Sequence, residues 1–304
     1  FKESKKERYF FNLSSKETFI ISNNWFMMFY LITILLGTIY PIFTEVIADA
    51  NISVGPPFYN SVIIPIVLPF LLVMAIGPNI KWVKNKFYNI KKLTVTFLLS
   101  IILIIIINLL FEKPSFLTNL ILVTSIFLIF YSLIDFYKLT NKKNKFEVGR
   151  VISHLSFGLM VFFIAINNNY SIERNFNIKV GEVKEFNDYK IKFIKLKLKE
   201  NESYKSVIGS FSINNIKKNT LINLNPEIRI YNNPETITYE ASIKTNAFRD
   251  YYITMSNISG SDVYNIKFQN KPFMFWIWIS AIMISFGGIF SLLKKNYRKI
   301  YHEI

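Results

Sequence analysis

Six stretches of the chain carry no charge and are long enough to form spans: Thr18–Thr44, Ala50–Ile80, Leu93–Phe111, Pro114–Ile134, Val151–Ile172 and Pro272–Leu293. A helix needs about 20 apolar residues to cross about 30 Å of hydrocarbon. The last run, 22 residues, reaches about 33 Å at 1.5 Å per residue. The second run is interrupted by Pro56, Pro57, Pro65 and Pro69. Its pattern places a helix near Ser61–Ile76, with the preceding residues as an external loop. Proline inside a spanning helix is tolerated where neighbouring helices satisfy the freed carbonyls.

Between Tyr170 and Lys271 the period changes. Tyr189-Lys-Ile-Lys-Phe-Ile-Lys-Leu-Lys-Leu-Lys-Glu200 alternates apolar and basic residues, the period of a strand with one buried face. Ile237–Ile243 and Asp250–Met255 read the same way. Turn formers separate them at Asn225-Pro226, Asn232-Asn233-Pro234 and Ser259-Gly260-Ser261-Asp262. About 100 residues with six to eight short strands predict a small β-sandwich or open barrel. The fold class is therefore an α-helical polytopic membrane protein of about six transmembrane helices, with an external all-β domain inserted before the last. Residues 1–169 hold helices one to five, 170–271 the β domain, and 272–304 the last helix and a basic tail.

Composition sharpens this picture. Only 18% of the 304 residues are charged and 51% are hydrophobic, against about 25% charged in soluble chains. A purely soluble or a disordered protein is excluded. With no cysteine, disulfides, thiolate metal sites and Cys nucleophiles are excluded as well. Two histidines cannot make a His-rich metal site. A chain opening at Phe1 reads as a fragment or processed piece of a longer protein.

Lys+Arg outnumber Asp+Glu by 36 to 20, and the excess lies in particular loops. Along the chain the segments outside the spans carry five, none, five, one and five basic residues, then a long domain, then a tail with Lys294, Lys295, Arg298 and Lys299. Short basic loops mark the cytoplasmic or matrix side. Both ends of the chain are therefore expected inside. The charge is topological, and no basic stripe with interleaved aromatics remains for nucleic acid.

His154 is the one histidine within a span, about 6 Å beyond Arg150 at the inner end of the fifth. Ionisable residues there usually face a protein interior or a ligand, and imidazole is a common metal and haem ligand. A helix–helix hydrogen bond and a snorkelling interfacial ring are the plainer alternatives. Ser153, Ser156 and Gly158 would let either a flat ligand or another helix approach closely. His302 lies in the charged tail and reads as solvated. In Ser53-Val-Gly-Pro-Pro-Phe-Tyr-Asn60 the prolines stiffen the backbone. Gly55, Pro56, Pro57 and Phe58 read either as a tight connection or as a wall for an apolar ligand. Glu227, Arg229, Glu240 and Asp250 could form a polar network of ordinary ion pairs. Asp135 is placed at the inner end of span four, within reach of water. Trp276 and Trp278 match an interfacial aromatic belt. No Ser-His-Asp arrangement, phosphate loop or glycosidase acid pair is present.

Taken in order, the Ser-Val-Gly-Pro-Pro-Phe stretch, Ala75-Ile-Gly-Pro78 with Trp82, the His154 helix, Pro226-Glu-Ile-Arg-Ile-Tyr231, Asp250-Tyr251, Lys271-Pro-Phe-Met-Phe-Trp-Ile-Trp278 and Gly287-Gly288 resemble the C-terminal half of the CcmF family. That family is the haem lyase component of cytochrome c maturation. The resemblance implies an enzyme that takes haem from the haem chaperone CcmE. It would attach the vinyl groups by thioether bonds to the CXXCH cysteines of apocytochrome c, alongside CcmH/CcmI-type apocytochrome-handling subunits. It implies a haem b in the bacterial or mitochondrial inner membrane, passing electrons from quinol. His154 matches one of its two axial ligands. The family's tryptophan-rich WWD segment, its flanking histidines and the second axial histidine belong to an N-terminal half absent from this sequence. A truncated sequence or a split gene is expected. After His154 the family shows Leu-Gly, where this chain has Leu155-Ser156. Two other classes remain alongside: a non-catalytic membrane assembly or docking subunit without haem, and a transporter. The transporter is disfavoured because no inverted pair of Gly/Pro-broken helices is evident.

Overall fold

The computed structural model describes residues 15–49, 52–80, 90–110, 114–141, 148–217, 220–257 and 261–302, with the side chains of 293–302 left aside. Trp82, most of the basic loop residues counted for orientation, the Ser259-Gly260 turn and the His302 side chain lie outside the described residues.

Among the described residues six helices are long and apolar enough to cross a membrane: α1 (Lys16–Ala48), α2 (Pro56–Ile76), α3 (Ile90–Leu110), α4 (Phe116–Asn141), α5 (Val148–Tyr170) and α6 (Met274–His302). The Ser15 hydroxyl caps α1, accepting from the Thr18 N–H at 3.4 Å. The described helices pack through α1–α2, α2–α4 and α3–α4 contacts. Leu71, Ala75, Phe127, Leu128 and Tyr131 form their core. Ile20, Trp25, Met28, Leu31, Leu99, Ile102, Ile282 and Phe286 point outward. Such exposure would be costly in water and is ordinary against lipid.

The expected Gly-Pro-Pro loop is instead a helix start. Gly55 is the extended N-cap, Pro56 and Pro57 form the first turn of α2, and the Phe58 N–H donates to the Gly55 carbonyl at 3.1 Å. A first-turn proline loses nothing, because its missing N–H would have had no helical partner and its φ already suits the helix. The helix thus begins five residues before Ser61.

The described residues divide into two compact units, one drawn from 1–165 and 280–304, the other from 166–279. The second unit holds ten strands among the described residues, more than the six to eight expected. They are β1 (Ile172–Ile178), β2 (Val183–Phe186), β3 (Tyr189–Glu200), β4 (Tyr204–Asn215), β5 (Thr220–Leu224), β6 (Glu227–Asn232), β7 (Glu235–Glu240), β8 (Ser242–Thr245), β9 (Arg249–Asn257) and β10 (Tyr264–Pro272). One sheet runs β1-β10-β9-β8. The other runs β2-β3-β4-β6-β7, with β5 also on β4. All pairs are antiparallel. The run read as one strand over Ile237–Ile243 breaks at Ala241, where the chain passes from the second sheet to the first.

The core lies between the sheets. Tyr189, Ile191 and Phe193 of β3 alternate inward with Phe211 and Ile213 of β4 and with Ile253, Met255, Ile266 and Phe268 of the facing sheet. Phe193 and Phe211 are cross-strand partners stacked at 4.3 Å. The alternation then fails: the register slips between Phe193 and Lys195, leaving Ile194 unpaired. The extra residue absorbs the Phe193-Ile194 doublet, so that Leu196 still packs against the core, while Leu198, two residues further along the same face, is 82% exposed.

Candidate functional site

α5 carries Arg150 and His154 four residues apart, so both lie on one face. That face borders a half-open cleft of about 180 Å³, closed by Lys16, Phe19, Ile20 and Asn23 of α1 and by Val73, Met74, Gly77 and Pro78 at the end of α2. A side chain at Gly77 would meet the Phe19 Cβ at 3.3 Å, so the glycine is what lets α1 lie this close. His154 is half-buried and lines the cleft beside Met74, whose backbone carbonyl is the acceptor within reach of its ring. With the N–H donating to that carbonyl, the second ring nitrogen keeps its lone pair.

One turn along both helices an aromatic cluster fills the interior. Phe157 of α5 meets Phe70 of α2 edge-on at 5.4 Å, and Phe26 and Tyr30 of α1 reach Phe70 at 5.7 and 5.5 Å. On the other side of Arg150 lies Asp135 of α4. It is only 8% exposed and paired with Lys138 at 3.2 Å and Arg150 at 3.7 Å. This corrects its expected place within reach of water. The reason is local: two cations, one from its own helix and one from α5, converge on the carboxylate and cover it.

The small residues of α5 are spent on helix contacts. Gly158 faces α4, where a Cβ would lie 3.4 Å from the Ser125 carbonyl oxygen, and Gly149 and Ser153 meet Gly287 of α6. Ser156 is wholly buried and donates to the Ile152 carbonyl at 2.7 Å.

The other sequence candidates lie elsewhere. Phe58 is separated from Met74 by sixteen residues of α2, about 24 Å at 1.5 Å per residue. Gly55, Pro56, Pro57 and Phe58 are therefore not brought to His154. Arg229 pairs with Glu227 at 3.0 Å and Glu240 at 3.9 Å. Asp250 stands apart from them on β9, in the other sheet. Trp276 and Trp278 are both exposed. In the β unit a cavity of about 320 Å³ is lined by residues including Thr220, Ile222, Lys244, Phe248, Arg249 and Tyr251. Sequence reasoning missed it, because it forms where β5 approaches β8, a proximity no local pattern carries.

Among the described residues no three His, Asp or Glu side chains converge as a cage for a bare ion. A single imidazole with a free nitrogen suits a metal that brings its own equatorial ligands, as haem iron does. Lys16 and Arg150 beside it suit the carboxylates such a macrocycle carries. At about 180 Å³ the cleft is below the usual range of about 300–1,000 Å³ for enclosed ligand sites. These helices could therefore contribute one wall and one ligand of such a site, with the rest supplied from outside.

The architecture defines the class first: a multi-pass membrane protein with a β-sandwich inserted ahead of its last helix. The family model described as the CcmF C-terminal beta-sandwich matches residues 169–272. The chain is 26% identical over 292 residues to the cytochrome c-type biogenesis protein CcmF of Escherichia coli K12, covering 94% of this chain and 45% of that protein. It is 27% identical to the CcmF of Haemophilus influenzae, over 93% of this chain and 46% of that protein. A solved structure titled cytochrome c heme lyase CcmF superposes with a TM-score of 0.71 at 20% identity, over 92% of this chain and 46% of the other. That likeness is of fold. The resemblance to the C-terminal half of the CcmF family, read from the sequence, holds. The chain spans less than half the length of the curated relatives it matches.

Proposed function

We propose that this chain is the half of a cytochrome c haem lyase that supplies one axial ligand, His154, to a haem b in the membrane. The second axial ligand would come from the N-terminal half. The observation that carries the reading is the cleft itself: a half-buried imidazole beside Met74 lines an open cleft together with two cations, Lys16 and Arg150. The relatives are cytochrome c biogenesis proteins and a heme lyase, which supports a haem-handling role. When bound, such a haem supplies one-electron transfer, here from quinol toward the incoming haem. His154 would hold its iron, and Lys16 and Arg150 would meet its carboxylates. Phe26, Tyr30, Phe70 and Phe157 would keep water from the interior.

In this reading the complex receives substrate haem from CcmE and joins it to apocytochrome c, working with CcmH/CcmI-type subunits. Each CXXCH thiol adds across a vinyl C=C, the sulfur to one carbon and the hydrogen to the other, with no net oxidation. The β domain, residues 170–271, would lie on the outer face of the inner membrane and wall the reaction site or dock partners. Helices one to five, within 1–169, and the last helix with its basic tail, 272–304, would place both ends inside. The Gly55–Phe58 turn would sit at the outer end of α2, near the incoming haem.

The test is an optical spectrum of the membrane complex containing both halves. His154→Ala should remove or weaken the b-type bands and abolish maturation of c-type cytochromes in a complementation assay. An unchanged spectrum in a correctly inserted variant removes the haem assignment, and leaves the non-catalytic assembly subunit as the reading.

A further inference from the structure

The carbonyl that holds His154 is free for a reason written in the sequence. In an α-helix the carbonyl of residue i accepts from the N–H of residue i+4. At the end of α2 the Gly77 N–H donates to the Val73 carbonyl in that way. The next carbonyl, that of Met74, would accept from residue 78. Residue 78 is proline, which has no N–H and whose ring crowds the carbonyl four residues back. The chain tightens there into a single 3-10 turn, Gly77–Asn79, with the Ile80 N–H donating to the Gly77 carbonyl at 3.3 Å. Met74 is thus left without its helical donor. Away from water an unsatisfied carbonyl is strongly disfavoured. His154 lines the cleft beside Met74, and its ring N–H is the donor placed to satisfy that carbonyl.

We propose that Pro78 is a positioning residue for His154: by withholding an N–H it reserves the Met74 carbonyl for the imidazole, and that bond fixes the ring's tautomer, plane and basicity as an iron ligand. The inference rests on the haem reading above. A neutral imidazole has one donor and one acceptor nitrogen, so donation to Met74 commits the other to the cleft. Histidines that bind metals usually donate their second N–H to such an acceptor, which makes them stronger ligands. A stronger axial donor favours ferric over ferrous iron. The Met74 bond would therefore hold the reduction potential down.

The experiment uses the complex with both halves, in membranes or detergent, followed by redox titration and low-temperature EPR. Pro78→Ala returns an N–H to position 78, which competes for the Met74 carbonyl. The variant should keep its haem, because His154 is unchanged. Its reduction equilibrium should shift toward the ferrous form by about tenfold, equivalent to about 59 mV for one electron, and its low-spin g values should move as the ring is freed. Pro69→Ala, two turns earlier in α2, should alter neither. A measurement on the unmutated complex stands independent of folding: pulsed EPR of the ferric state reads the remote nitrogen of the axial imidazole, and it should show a hydrogen-bonded N–H. Unchanged midpoint and g values in Pro78→Ala, or a remote nitrogen without a hydrogen bond, overturns the proposal while His154→Ala still loses the haem. If His154→Ala keeps the haem, the haem reading itself has failed, and that result is separate.

Discussion

Gly149 on α5 and Gly287 on α6 meet backbone to backbone. A Cβ on Gly149 would lie 2.6 Å from the Gly287 carbonyl oxygen, and a Cβ on Gly287 would lie 2.8 Å from that of Gly149. Each would also run into a serine of the other helix, Ser291 or Ser153. Small residues let spanning helices approach this closely and gain packing that lipid cannot supply. The crossing is one residue away from the candidate iron ligand, since Ser153 precedes His154.

Alanine at either glycine should therefore destabilise the helix unit, by about 1–3 kcal/mol for overpacking. Gly149→Ala and Gly287→Ala should each lower the thermal midpoint of the detergent-solubilised protein by several degrees. Gly288→Ala is the control, because nothing lies within 4 Å of a Cβ there. Equal midpoints for Gly287→Ala and Gly288→Ala would refute the close crossing.

In the β-sandwich Tyr189 ties the two sheets together. Its hydroxyl accepts from the Asn270 side-chain amide at 2.5 Å and lies 3.5 Å from the Arg249 guanidinium, while its ring packs on Phe268 at 5.4 Å. Asn270 is fully buried, and its side-chain oxygen has no partner. Tyr189→Phe keeps the ring but strands the amide, which should cost about 1–3 kcal/mol. Hydrogen exchange of the β3, β9 and β10 amides should accelerate accordingly. Unaltered protection would mean that the hydroxyl contributes nothing to holding the sheets.

Asp250 opposes Thr245 across β8 and β9. Burial pushes its carboxyl above the usual range, against partial relief from the Thr245 hydrogen bond and the Lys271 charge. One carboxylate oxygen is buried with no partner. A folded-state pKa above the unfolded value of about 3.9 means that folding favours the protonated acid. This group's contribution to stability is present below the unfolded pKa and is lost as pH rises through the folded pKa. Asp250→Asn should thus raise β-domain stability at neutral pH, with the gain vanishing below about pH 4. Comparing exchange protection of β8 and β9 in variant and parent at several pH values measures this. A gain that grew on acidification would reverse the sign.

Parts of this structure are legible in the chain and parts are not, for definite reasons. The strand Tyr189–Glu200 can be read to the residue, because alternation is a local signal. The bulge at Ile194 leaves a trace, since Phe193 and Ile194 stand side by side and break the alternation, but which residue goes unpaired depends on the opposing strand. The Pro56-Pro57 pair reads as a loop, since proline marks both loops and first turns, and only the downstream chain decides between them. The burial of Asp135 depends on Arg150, which lies fifteen residues later on another helix. His154 stands out because a histidine is rare among apolar residues. The Met74 carbonyl has no side-chain signature at all. Only Pro78, four residues on, marks it, and in a sequence that proline draws the eye as part of a motif and not for the donor it lacks.

Arg150 supplies the last prediction. It lines the cleft while pairing with Asp135 at 3.7 Å, so it presents one positive charge shared between a buried carboxylate and whatever occupies the site. A positive charge near iron favours the reduced state, and a negative one opposes it. Arg150→Gln should therefore lower the midpoint potential of the haem assigned to His154, and Asp135→Asn should raise it. Each shift should be on the order of tenfold in the reduction equilibrium, about 59 mV for one electron, and the double variant should fall between the two. Arg150→Lys keeps the charge but loses the planar fork, so its midpoint should stay near the parent's while haem occupancy falls. Redox titration of the complex with both halves, at fixed pH, reads all four. Shifts of the same sign in Arg150→Gln and Asp135→Asn would show that the pair acts on helix packing and not on the iron's electrostatics.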